Sequence, residues 1–311
     1  MAVLTCNIPV MKTDGFVLRV NKGIPYYSCR AFESLPWLRH GFSTRRGGAD
    51  EGVLNLNYTA WDTPERVDEN RRRLLFSLGI ENGALISLNQ THSNTVYVVE
   101  SASGFNDPPL SFVMSLSSSS TMNRQPEMKK NEGDALITNM ENAALAVKVA
   151  DCFPVLIADP VRMAIGAVHS GWRGTLAGVL PRAIEEMGRL FHSDPAHMLF
   201  AIGPGIRECC FEVGEDVACL FADAHPEKAV VFPSPVEHEK YQVNLASVLK
   251  AQMTQSGVKP ENQYDSGMCT CCCAPDFFSW RSEGAAAGRM MAVIAAVDDA
   301  DHSRISRGFS V

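Results

Sequence analysis

The sequence predicts an α/β (α+β) fold, and three observations carry that expectation. Short apolar runs rich in Val, Ile and Ala recur along the chain. Amphipathic segments with three- and four-residue apolar steps lie between them. Hydrophobic residues fill 46% of 311 positions, ample for layers packed around a large mixed sheet. One sheet or two would satisfy the pattern equally.

Residues 1–24 are expected as an N-terminal extension and residues 25–311 as a single domain. The opening MAVLTCNIPVM lacks the basic start and small-residue cleavage pattern of a secretory signal. Thr63-Pro64-Glu65 opens a helix with apolar Val67, Leu74, Leu75 and Leu78, stopped by Gly79. Ala84 to Leu88 and Thr95 to Val99 read as strands flanking a turn that holds His92.

Residues 101–131 break the pattern with Pro108-Pro109, a serine run and Lys129-Lys130. Such composition buries too little apolar area to offset its ordering entropy, so a disordered insertion is expected there. Strand signals resume at Ala135-Leu136-Ile137 and continue at Ala144 to Val149, Val155 to Ala158 and Met163 to Val168. Leu176, Val179, Leu180, Ala183, Ile184, Met187, Leu190 and Phe191 then mark an amphipathic helix. Pro181 requires that helix to start near Val179 or to kink. Leu199 to Ile202 is a strand, Asn244 to Gln255 a helix, and Met290 to Val297 a closing apolar run.

The net charge of −7 gives no global field for nucleic acid or an anionic membrane, so neither is expected as a partner. No stretch approaches the roughly 20 apolar residues that span a bilayer. The ten cysteines are unevenly spaced, with Cys209-Cys210 adjacent and Cys269, Cys271, Cys272 and Cys273 crowded together. That spacing argues for reduced thiols and a cytoplasmic location. The crowded group lacks an evident second C-x-x-C arm, so Cys271 to Cys273 are expected to be non-catalytic.

His92, Cys152 and His169 each stand among polar residues where an apolar strand pattern ends. If the three converge they offer two imidazoles and a thiolate with a fourth position open, the arrangement of catalytic zinc. Taken singly, each has a blander reading as a buried thiol or a hydrogen-bonded turn histidine. Asp134 and Asp151 are candidates to accept the second N–H of a ligating imidazole. Gly171-Trp172-Arg173-Gly174, between strand and helix, could meet an anion with backbone N–H groups and Arg173. Gly41 to Gly48, with Ser43, Arg45 and Arg46, is a second glycine-rich basic element and a solvated turn is its equal alternative. Phe277-Phe278-Ser279-Trp280 is compatible with a wall for a planar ligand.

The segments HGFSTRRGG from His40, NQTHS from Asn89, GDALIT from Gly133, ADCFPVLIAD from Ala150, AVHSGWRG from Ala167, GPGIRECCFEVG from Gly203, GMCTC from Gly267 and FFSWR from Phe277 occur in an order that resembles one family. It is known both as the laccase-domain or multicopper polyphenol oxidoreductase family and as the YfiH-like purine nucleoside phosphorylases. The resemblance implies one layered α/β/β/α domain with mixed sheets and a zinc ion held by His92, Cys152 and His169. It further implies phosphorolysis of adenosine, inosine and 5′-methylthioadenosine, and deamination of adenosine.

On that footing Cys152, His169, Asp134 and Asp151 are the expected catalytic residues, with Glu212 a further candidate acid. Ser43, Arg45, Arg46, Gln90 and Arg173 are expected to bind purine nucleoside and phosphate. Besides a non-catalytic protein that binds a nucleotide or cell-wall fragment without turnover, two enzymatic alternatives stay open at this level. One is a cysteine hydrolase using Cys152 with His169; the other is copper-dependent phenol oxidation, for which one His/Cys/His set offers few ligands.

Overall fold

A computed structural model describes residues 15–49, 52–80, 84–100, 113–116, 132–225 and 230–297. Strands β1 (Phe16–Asn21), β2 (Ile24–Cys29) and β3 (Leu38–Ser43) come first, with the single-turn helix α1 (Arg30–Glu33) between the last two. Helix α2 (Pro64–Ser77) leads to β4 (Ala84–Ser87), β5 (Val96–Val99) and β6 (Val113–Leu116). Next come β7 (Ala135–Thr138), β8 (Ala143–Val149), β9 (Phe153–Asp159), β10 (Ala164–Ser170), α3 (Trp172–Leu176) and α4 (Val179–Phe191). The remainder is β11 (Leu199–Ile202), β12 (Glu212–Gly214), α5 (Glu215–Ala224), β13 (Val231–Pro233), β14 (Lys240–Val243), α6 (Leu245–Gln255), β15 (Gln263–Asp265), α7 (Trp280–Glu283) and β16 (Met290–Ala296).

Two large sheets and one small one result. The first runs β1-β2-β3-β16-β8-β4, the second β15-β11-β9-β10-β7-β5-β6, and the third β12-β14-β13. Both large sheets mix pairings: β4 lies parallel to β8, and β5 parallel to β7, among antiparallel neighbours.

Period-2 alternation stacks these sheets into layers. Along β16, Ala292 and Ile294 face the second sheet, while Met291, Val293 and Ala295 pack with Leu74, Leu75 and Leu78 of the α2 region. Along β9, Leu156 and Ala158 face the first sheet, while Phe153, Val155 and Ile157 join Val179, Leu180, Ala183 and Met187 of α4 and Val248 and Leu249 of α6. The order is helix, sheet, sheet, helix. Strands buried on both faces read as continuous apolar runs, which is why β8, β9 and β16 stood out in the sequence.

Helix boundaries follow capping chemistry. The Thr63 side chain accepts the Arg66 N–H, Pro64 takes the first helical position, and Gly79 beyond the end sits at φ +72°. Asn244 caps α6 by accepting the Ser247 N–H at 2.9 Å. Gly178 at φ +77° separates α3 from α4, so Pro181 falls in the first turn of a helix that starts at Val179 and lacks no internal bond there.

Two boundaries differ from expectation. The first sheet starts before residue 25, because Phe16 to Asn21 pairs with Ile24 to Cys29 as a hairpin. Within the 101–131 insertion, Val113–Leu116 forms β6, antiparallel to β5; the rest of that insertion lies outside the described residues.

Candidate metal centre

Strand register assembles the site. Strands β7 and β9 both flank β10, pairing Ala135 with Val168 and Phe153 with Ser170, while β5 places Val96 beside Ala135. Asp134 immediately precedes Ala135, Cys152 precedes Phe153, and His92 lies in the turn that enters β5. Two of the three expected ligands therefore sit on crossings from the first sheet to the second, β4 to β5 and β8 to β9, and the third lies on β10. Ligating atoms of His92, Cys152 and His169 all lie within 4.8 Å of one another.

The spacing suits a single ion. Zinc at its usual 2.3 Å from sulfur and 2.0–2.1 Å from nitrogen, in tetrahedral geometry, separates those atoms by about 3.5 Å. Cys152 Sγ lies 3.7 Å from His92 Nε2, and the two imidazoles meet edge to face with centroids 5.0 Å apart. His169 is buried, Cys152 is partly exposed and His92 is exposed, so the fourth position faces solvent on the His92 side.

Asp134 organises two of the ligands. Its carboxylate accepts the His169 Nδ1–H at 2.7 Å, which leaves Nε2 for a metal. It also accepts the backbone N–H groups of Thr91, His92 and Ser93 at 3.3, 3.0 and 2.6 Å, and the Ser93 hydroxyl at 2.7 Å. Those bonds hold His92 at φ +60°, a left-handed conformation that costs a non-glycine residue about 1–3 kcal/mol. Burial pushes the Asp134 carboxyl up, but the bonds from His169 and Ser93 outweigh it and bring it below its ordinary range.

Without a metal the two inner ligands form an ion pair. Burial pushes the Cys152 thiol up, but His169 and His92 beside it bring it down to about 6. Burial also pushes His169 down, while the Cys152 thiolate and the Asp134 carboxylate raise it to about 9. The site thus favours the thiolate that zinc requires.

Gly171 makes room for the set. A Cβ there would lie 2.8 Å from both Cys152 Sγ and His92 Cδ2, so the backbone after His169 can pass the ligands only without a side chain. The helix that Gly171 opens, α3, has five residues, too few for the summed dipole expected of an anion-binding terminus. Arg173 is exposed and stacks over Trp172 at 4.1 Å.

Several other expected site residues have structural partners. Asp151, at φ +89°, accepts the Thr270 hydroxyl at 2.7 Å and the Arg281 N–H at 2.6 Å, so it anchors the C-terminal segment beside Cys152. Gln90 clamps β8, donating to Lys148 O at 2.7 Å and accepting the Lys148 N–H at 2.8 Å. The Ser43 hydroxyl is buried and accepts the Met291 N–H at 3.0 Å.

The paired arginines are engaged with the C-terminal segment. Arg45 makes a two-pronged ion pair with Glu283 at 3.0 and 3.1 Å, donates to the Ala274 and Phe277 carbonyls, and lies over the Phe278 ring. Arg46 pairs with Asp276 at 2.5 Å. Glu212 accepts the Ser234 hydroxyl on the third sheet. Phe277 and Phe278 are core residues rather than a ligand wall, and in that stretch Trp280 alone is exposed.

A cationic group that no sequence spacing disclosed lies close by. Lys148 on β8 is pushed down to about 8 by burial and by the nearby Arg71 and Arg289. Arg289 in turn feels the Cys152 and Asp151 charges, which oppose the effect of its burial. Leu56 ties the two arginines together: its carbonyl accepts Arg71 Nε–H at 3.0 Å and its N–H donates to Arg289 O at 3.0 Å. Their positions, 71, 148 and 289, meet only through α2, β8 and the approach to β16.

Comparison with known proteins bears on this architecture. The chain is 36% identical over 258 residues, 82% of its length and 88% of the relative's, to a Deinococcus radiodurans protein named purine nucleoside phosphorylase. It is 30% identical over 254 residues, 80% of its length and 90% of the relative's, to a protein named adenosine deaminase RL5 from an unknown prokaryotic organism. The crystal structure of YlmD from Geobacillus stearothermophilus has the same fold, with a TM-score of 0.74 at 24% identity over 91% of this chain and 100% of that one. Residues 39–297, which include the three candidate ligands and Asp134, match one family, and the chain belongs to that family, described as multi-copper polyphenol oxidoreductase laccase.

Proposed function

We propose that this chain is a zinc-dependent purine nucleoside enzyme. It cleaves adenosine, inosine and 5′-methylthioadenosine with phosphate, giving the free base and ribose 1-phosphate, or 5-methylthioribose 1-phosphate from the last, and deaminates adenosine. The convergence of His92, Cys152 and His169 around one open position, with Asp134 behind His169, is the observation that carries this reading. The names borne by the relatives, purine nucleoside phosphorylase and adenosine deaminase, supply the substrate class.

Zinc held there would supply Lewis acidity and activate water near neutral pH. The chain's own groups do the rest. Asp134 keeps the His169 Nδ1–H engaged, so the ring cannot rotate or change tautomer during turnover. Phosphate, a dianion at neutral pH, needs cations that are not already neutralised. Arg45 and Arg46 are ion-paired, whereas Arg289 stands within electrostatic reach of Cys152, with Lys148 beside it, and suits that role better. Exposed Arg173, stacked on half-buried Trp172, follows Gly171 by two residues and is a further cation near the ligand-bearing segment.

A cysteine hydrolase remains a second reading because of one observation: Cys152, His169 and Asp134 form a thiolate, imidazolium and carboxylate series. Zinc occupancy separates the two, since a metal-bound thiolate is not a free nucleophile. Phenol oxidation by several coppers would need more imidazole donors than one His/Cys/His set supplies.

The test is to incubate the zinc-loaded protein with adenosine, with and without phosphate, and to separate the products. Adenine formed only with phosphate, inosine formed in either case, and loss of both in His92→Ala are expected. Neither product from fully loaded protein would overturn the reading.

A further inference from the structure

Cys209, Cys210, Cys269 and Cys272 form a second group of converging ligands, away from the first site. Their four sulfurs all lie within 4.8 Å of one another. Cys272 Sγ is 3.5 Å from Cys209 Sγ and 3.4 Å from Cys210 Sγ. A disulfide would bring two sulfurs to about 2.05 Å. Four sulfurs around zinc at 2.3 Å stand about 3.8 Å apart. The separations from Cys272 are far too long for a disulfide and lie near the spacing of a tetrathiolate cage.

The topology explains why the spacing concealed it. Strands β11 and β15 lie side by side and parallel, so the loops that leave them emerge together. One loop carries Cys209-Cys210. The other carries Cys269-Thr270-Cys271-Cys272, a C-x-x-C arm whose partner lies about sixty residues upstream. Backbone bonds lock the loops at this point: Gly205 N–H donates to Met268 O at 3.3 Å and Thr270 N–H to Gly205 O at 3.2 Å. The earlier expectation that this cluster has no second arm is corrected by that pairing.

The surroundings favour a bound, doubly charged cation with four thiolates. The Arg207 N–H donates to Cys269 Sγ at 3.4 Å, the type of N–H to sulfur bond that supports a thiolate ligand. Arg207 is itself braced by Asp265, its Nη1–H donating at 3.0 Å. Arg281 donates to the Cys210 and Glu212 carbonyls at 3.1 and 2.8 Å, which puts a second permanent cation beside the cluster. Cys209 is exposed, and Cys210 and Cys272 are partly so, which leaves a route for the metal to enter.

We propose that these four cysteines bind one zinc ion as a closed structural site. The ion clamps the loop after β11 to the loop after β15. Its reach extends to the first site, because the Thr270 hydroxyl and the Arg281 N–H hold the carboxylate of Asp151, the strained residue before Cys152, and the Ile206 N–H in the other loop donates to its carbonyl. Binding releases the thiol protons and involves no redox change.

Metal content and thiol protection test this independently of any purine turnover. Wild-type protein stripped with chelator, refilled with zinc and desalted is expected to hold two zinc ions per chain, and His92→Ala and Cys272→Ser one each. In wild type, zinc is expected to slow alkylation of Cys209, Cys210, Cys269 and Cys272 at least tenfold, read residue by residue by peptide mass spectrometry, which needs no variant to fold. A single zinc per wild-type chain that His92→Ala abolishes would overturn the proposal. So would equal alkylation of the four cysteines with and without zinc, or a disulfide among them in protein purified under reductant.

Discussion

Asp134 carries more of the site than either aspartate's place in the sequence suggests. It accepts four hydrogen bonds from residues 91–93 and one from His169, so one carboxylate fixes the positions of two ligands. Asp134→Asn replaces an acceptor by a donor that must face an N–H, and zinc affinity at the first site is expected to fall roughly 10- to 100-fold. Competition against a chelator of known affinity reads that change; an unaltered affinity would remove Asp134 from the account. Gly171→Ala is the steric counterpart. Its methyl would intrude at 2.8 Å on Cys152 and His92, and overpacking of that kind typically costs 1–3 kcal/mol. Zinc affinity should drop while the metal-free protein keeps its far-ultraviolet circular dichroism spectrum.

At the scale of elements, what the sequence disclosed depended on burial. Strands β8, β9, β10, β11 and β16 are covered on both faces and announce themselves as apolar runs. Helices α2, α4 and α6 follow their apolar steps and caps. Strands β1 to β3 were not legible, since β1 is an edge strand with most side chains exposed and β3 carries His40 and Gly41 among its buried positions. The three candidate ligands, which the structure brings within 4.8 Å of one another, could be picked out because each lies in or next to a legible strand. The Lys148, Arg71 and Arg289 group and the second arm of the cysteine cage could not, because only the register between sheets brings such distant positions together.

The β3 histidine has its own consequence. His40 Nε2 accepts the Cys29 N–H at 2.8 Å, and burial, opposed by Glu33, brings its pKa down to about 4. An unfolded histidine titrates near 6.5. Between those values the unfolded chain binds a proton that the folded chain does not, so stability is full above about pH 6.5 and is lost as pH falls toward 4. The loss is about 3 kcal/mol. Denaturant melts at pH 7 and pH 4.5 should show it, and His40→Gln should flatten the dependence over that window. On α2, Thr63→Ala removes the cap and should cost about 1 kcal/mol in the same melts.

For the molecule as a whole, the helix, sheet, sheet, helix stack brings the β4-to-β5 and β8-to-β9 crossings together beside the end of β10, and the candidate chemistry gathers there. Two strand crossings and one strand end supply the first set of ligands, and the loops after β11 and β15 supply the cysteine cage, with Asp151 between them. If zinc occupies the first site as proposed and binds the folded chain alone, it should raise the midpoint of thermal unfolding, with about 2.7 kcal/mol added at a free concentration one hundred times Kd. Chelator should reverse the shift. Among the described residues no helix is long and apolar enough to cross a membrane, and the exposed His92 edge faces solvent.

The most direct measurement is an anomalous difference map at the zinc edge from crystals grown with zinc. A peak about 2.0 Å from the Nε2 atoms of His92 and His169 and about 2.3 Å from Cys152 Sγ is the predicted result. Zinc-saturated crystals with no peak among those three atoms would contradict the account.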